Sequence, residues 1–165
     1  MEAERLIATG RHALAESRTA LDIVVEAWQA QVLAQAIGSR LVLCGPMELR
    51  SEARGLSEIG GGRGPTDHPS LRGGVPRAAQ LTEVADERAA LTALGALLGE
   101  VGIALVGVAC ATDEEGLYWQ CIEAIDAADE AGDRVRGMLR RLTLRERGRP
   151  PDPARGRAAP RPGPR

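Results

Sequence analysis

At 165 residues the chain has room for one domain with a modest core. It carries 21 arginines but no lysine, asparagine or phenylalanine, three residues with AT-rich codons, so a GC-rich genome accounts for all the absences and arginine content alone does not signal phosphate recognition. Aromatics are limited to Trp28, Tyr118 and Trp119, which favours closely approaching aliphatic helices over a sheet sandwich. Three cysteines, an odd count, argue against a disulfide framework and fit a reducing cytoplasm. Met1–Arg5 lacks the charged and apolar regions of a secretory signal, so a cytoplasmic location is expected.

Residues 2–17 read as a first helix with Leu6, Ile7, Ala13 and Leu14 apolar. Thr19 with Asp22 resembles a capping box that starts a second helix. Its stripe Val24, Val25, Trp28, Val32, Leu33, Ile37 and Leu41 predicts burial as far as residue 37 or 44, with 40–44 readable as a short strand. Cys44-Gly45-Pro46 breaks the chain, and Pro46 suits the first position of a short helix over 47–59. Residues 60–76 are rich in Gly and Pro and predict a mobile loop. From about Arg77, the spacing of Leu81, Val84, Leu91, Leu94, Leu98, Val101, Leu105 and Val108, interrupted near Arg88, predicts a helix ending near Ala111. Thr112 with Glu115 reads as a capping box opening the last helix, with its seam on Tyr118, Ile122, Ile125, Ala128, Gly132, Val135, Leu139 and Leu142. After Gly148 the apolar periodicity ends, and the Arg/Pro/Gly composition predicts a disordered tail over 148–165.

The expected fold is therefore all-α: an antiparallel four- to five-helix bundle over residues 1–147, with a basic C-terminal tail. Residues 1–133 hold 21 acids and 10 arginines, a balance of −11, whereas residues 134–165 hold 11 arginines against Glu146 and Asp152, a balance of +9. Helix-dipole complementarity explains much of this split, and an electrostatic clasp is the sharper reading. The acidic side would be Glu123, Asp126, Asp129, Glu130 and Asp133, and the basic side Arg140, Arg141, Arg145 and Arg147 with the tail.

The apolar run 89–111 is long enough to span a membrane. Glu100 at its centre costs about 2.5–3.5 kcal/mol on the insertion scale, and the glycines leave little to offset it. The run is better read as a core helix with Glu100 as a buried polar group. The acids of the last helix have no Glu-x-x-His partner motif, so no metal is expected. No nucleophile–base pairing or phosphate-loop motif stands out, so neither catalytic residues nor cofactors are expected.

Ala27–Gln31, Glu52–Leu56 through Ile59-Gly60, and above all Gly99–Asp129 resemble a family of uncharacterised helical proteins from high-GC Gram-positive (actinobacterial) bacteria. The resemblance covers residues 1–147 and implies a one-domain helical protein with no assigned activity. The leading functional expectation is a non-enzymatic interaction or regulatory module that binds a protein partner or forms a homodimer, with Trp28, Tyr118 and Trp119 among its contacts. A nucleic-acid-associated protein using the arginine-rich end is the alternative. A small-molecule-binding or catalytic bundle built around Glu100 is the third reading.

Overall fold

The computed structural model describes residues 1–59 and 75–150 and is all-α. Five α-helices run over Ala3–Glu16 (α1), Ala20–Cys44 (α2), Arg50–Glu58 (α3), Glu87–Ala111 (α4) and Glu115–Arg147 (α5). Short 3₁₀ turns at Met47–Leu49 and Arg77–Gln80 connect them. Most of the expected 60–76 loop and of the tail from 148 lies outside the described residues.

The predicted capping box at α2 is present. Thr19 Oγ1 accepts from the Asp22 N–H at 3.1 Å, and the Asp22 carboxylate accepts from the Thr19 N–H at 3.0 Å. Hydrogen bonding to the carboxylate, from the Thr19 side chain first and then from the Thr19 and Arg18 N–H groups, holds the Asp22 carboxyl below its ordinary pKa. The helix then continues unbroken to Cys44, because Ile37, Gly38 and Leu41 are buried and hold its last turns against a neighbour; no strand forms at 40–44.

Three other boundaries differ from expectation. The stretch from Arg77 is a 3₁₀ turn and an extended segment rather than helix, and α4 starts only where the Asp86 carboxylate caps the Ala89 N–H. Pro46 precedes a 3₁₀ turn, and α3 proper begins at Arg50. Thr112 does not cap α5: it ends α4, its hydroxyl accepts from the Glu114 N–H, and Glu114 is the N-cap residue. Two adjoining helix ends compete for the one threonine there.

The core is aliphatic and continuous. Leu6 and Ile7 of α1, Ile37 and Leu41 of α2, and Leu56 of α3 meet Leu91, Leu94, Leu97 and Leu105 of α4 and Val135 and Met138 of α5. Small residues set the distances. A Cβ on Gly38 would lie 2.8 Å from the Ala53 carbonyl oxygen and 2.9 Å from the Ser57 nitrogen, so α2 and α3 touch backbone to backbone. On α5 the buried positions are Cys121, Ala128, Ala131, Gly132, Val135, Met138 and Leu142. The expected seam is correct from Ala128 onward, but its first half is misphased: Tyr118 is exposed and Cys121 takes the inner position.

α4 and α5 form an antiparallel pair, with Gly95 beside Val135 and Arg88 reaching Glu146 and Thr143. α1 lies along α4 in the same direction, with Gly10 against Leu97. The Ala3 N–H bonds to the Glu83 carbonyl at 3.2 Å and fixes that register. Hence α4 touches α1, α2 and α5.

Candidate functional site

Along α4, two seven-residue patterns run on different faces. Leu91, Leu94, Leu98, Val101, Leu105 and Val108 alternate steps of three and four and are all buried against the chain's own helices. Ala89, Thr92, Ala96, Gly99, Ile103, Val106 and Cys110 follow the same alternation, and all are exposed. Seven positions of a 25-residue helix thus form an uncharged stripe facing solvent. Ile103 is 77% exposed and Val106 48%, and nothing lies within 4 Å of where a Cβ on Gly99, Gly102 or Gly107 would stand. α4 is long and apolar enough to cross a membrane by length and composition, yet its inner seam packs in the core.

Glu100 borders this stripe and is not buried. Its carboxylate takes a forked set of hydrogen bonds from the Arg11 guanidinium of α1, and both side chains are partly exposed. The expectation of a buried polar group fails because Glu100 falls between the two seams, within reach of α1. The Arg11 hydrogen bond and charge hold the Glu100 carboxyl below its ordinary pKa. Beside the pair, Ala8, Leu14, Ala15, Ile103 and Ala104 line an open apolar groove of about 550 Å³ between α1 and α4.

The arginines of α5 are largely engaged. Arg134 lies 3.2 Å from Glu52 of α3, Arg141 lies 3.7 Å from the same carboxylate, and Arg145 is 3.9 Å from Glu48. Arg136 pairs with Asp133 one turn away, and Arg88 of α4 holds Glu146 at 3.1 Å. Among the described residues, a clasp joins α5 to Glu52 of α3 and Glu48 just before it, whereas the expected pairing of the Glu123–Asp133 face with the tail falls largely outside the described residues. Sequence reading missed Glu48 and Glu52 because their register against α5 is a tertiary fact. Asp126, Asp129, Glu130 and Asp133 are spread along an exposed face, as is Glu123; Arg140 and Arg147 are also exposed.

The aromatics do not gather. Trp28 of α2 is half-buried with its indole N–H buried and lacking a hydrogen-bond partner among the described residues. Tyr118 and Trp119 are exposed and pack edge to face, with ring centroids 5.3 Å apart. Cys44, Cys110 and Cys121 are free thiols, and burial pushes the Cys121 thiol pKa up.

With this architecture, the chain belongs to a family of unknown function, DUF6099, which matches residues 1–141. No curated protein and no solved structure matches it.

Proposed function

We propose that this chain is a non-catalytic interaction module, a small helical bundle whose contact surface is the outer face of α4 with the adjoining groove of α1. One observation carries the reading: a repeating uncharged stripe, with Ile103 and Val106 exposed on it, spans α4 on the side away from its own core. Monomeric soluble proteins rarely expose contiguous apolar patches beyond a few hundred Å², and larger ones mark contact sites. The glycines support it. In a solvent-facing helix position each costs about 1 kcal/mol relative to alanine, a cost that close approach of another surface would offset.

Nucleic-acid binding has weaker support, since Arg134, Arg136, Arg141 and Arg145 already hold acids of the same chain. A cytoplasmic setting in a high-GC actinobacterial host fits the composition and the thiols. The test is affinity capture from the native host, nuclease-treated, with the full chain and its Ile103→Asp variant side by side. A protein bound by the first and lost from the second supports the reading. Identical capture by both, or none by either, overturns it.

A further inference from the structure

We propose that the partner of this face is a second copy of the chain, with α4 packed antiparallel on α4 through Thr92, Ala96, Gly99, Ile103, Val106 and Cys110. This rests on the reading of the α4 face as a contact surface and identifies its occupant. Self-pairing about a two-fold axis requires one surface to be complementary to itself. An antiparallel register centred near residue 101 places Ile103 opposite Gly99 of the partner, Val106 opposite Ala96 and Cys110 opposite Thr92. Ile103 and Val106 then meet the smaller Gly99 and Ala96, and seam positions meet seam positions as knobs-into-holes packing requires. The space at Gly99 is open in the single chain, so Ile103 of the partner has a vacant seat.

Size sets the strength. α4 has 25 residues and α1 has 14, so the strip they present is about 37 Å long along α4 and about 21 Å along α1. With about 10 Å of width per helix, each copy buries roughly 600 Å², at the lower end of specific interfaces. The association is thus reversible and concentration-dependent.

Other occupants fit less well. Residues 60–74 contain a single large apolar residue, Leu71, and residues 151–165 contain none, so neither segment supplies a matching seam. Anionic lipid is opposed by Asp86, Glu87, Asp113, Glu114 and Glu115 at the two ends of α4.

The test is sedimentation equilibrium of the full chain from low to high micromolar concentration, repeated at high salt. The mass should rise from 17.4 kDa toward twice that value and do so in 1 M salt as well. Gly99→Leu, whose Cβ would have no neighbour within 4 Å, should stay at the single-chain mass with unchanged helical circular dichroism. Ile103→Asp provides an independent variant at an exposed position. Orientation is read by thiol oxidation in a Cys44→Ser background. Thr92→Cys should form an interchain disulfide with the partner's Cys110, whereas Cys110 alone should not self-couple, being about 27 Å from its copy along the antiparallel pair.

A single-chain mass throughout, dimers indifferent to both variants, Cys110–Cys110 coupling, or binding to anionic vesicles in place of dimers would each overturn the proposal. A single-chain mass together with Ile103-dependent capture of a different protein would overturn only the self-pairing and leave the contact surface standing. Loss of both would remove the two together.

Discussion

Replacing Gly38 with alanine tests how closely α2 and α3 approach. In an open helical position the change is favourable by about 1 kcal/mol, because alanine restricts the unfolded chain and glycine does not. At Gly38 the new methyl would stand 2.8 Å from the Ala53 carbonyl oxygen, 2.9 Å from the Ser57 nitrogen and 3.2 Å from the Leu56 Cβ. Two of those neighbours are backbone atoms of α3, so relief comes only by moving the helices apart. Overpacking of this kind costs about 1–3 kcal/mol, and the upper half of that range applies where backbone must shift. The net expectation is a loss of about 1–2 kcal/mol. For a chain of this size that is a fall in Tm of roughly 2–8 °C. The control is Gly102→Ala on α4, where nothing lies within 4 Å, and a rise of roughly 2–4 °C is expected. Thermal melts followed by circular dichroism on dilute protein supply both numbers. If Gly38→Ala raised Tm as much as Gly102→Ala, the backbone contact between α2 and α3 would be refuted.

Glu52 sits between Arg134 and Arg141 with its side chain 22% exposed, so Glu52→Gln should cost about 1 kcal/mol in urea unfolding and less at 1 M salt. An effect that ignored salt would count against the α3–α5 clasp. The Glu100 carboxyl has a folded pKa below its unfolded value because Arg11 bonds to the charged form. Its contribution is therefore complete above the unfolded pKa near ~4.3 and is lost as pH falls through the lower folded value. Glu100→Gln should flatten the acid limb of stability below about pH 4.5, and an unchanged limb would show that the pair is not formed in solution. Among the thiols, exposed Cys44 should alkylate rapidly in native buffer, as should Cys110 in protein dilute enough to be single-chain, while buried Cys121 reacts only on unfolding. Rapid native labelling of all three, read by mass spectrometry, would contradict the placement of α5.

How much was legible follows from which interactions are local. The capping box at Thr19 and the buried seam of α4 depend on residues three and four apart, so their spacing in the chain was enough. Thr112 was misassigned because two helices end and begin within three residues of it, and backbone geometry decides which end its hydroxyl serves. Tyr118 was placed inside the seam because it stands four residues before Ile122 and so fits the three-and-four spacing. Yet the phase set by Ala128, Val135 and Leu142 extends backward to Cys121, not to Tyr118. Glu100 was read as buried because the run around it is apolar all round. Nothing in that run shows that one of its faces has no neighbour. The second stripe of α4 is visible in the sequence as a repeat, but its exposure is not, since burial belongs to the packing of α1, α2 and α5 around the helix. The arginines were legible as a charge bias only; that they hold Glu48 and Glu52 required the fold.

The most direct test of the α4 contact surface is a photo-reactive amino acid at position 103, with the same group at Arg54 on the exposed side of α3 as reference. The full chain, irradiated in extract of its native host, should yield adducts from position 103 that are absent from position 54, with a second copy of the chain as the main product. Equal labelling from the two positions, or no adduct from 103, would contradict the assignment of this face as the surface through which the protein acts.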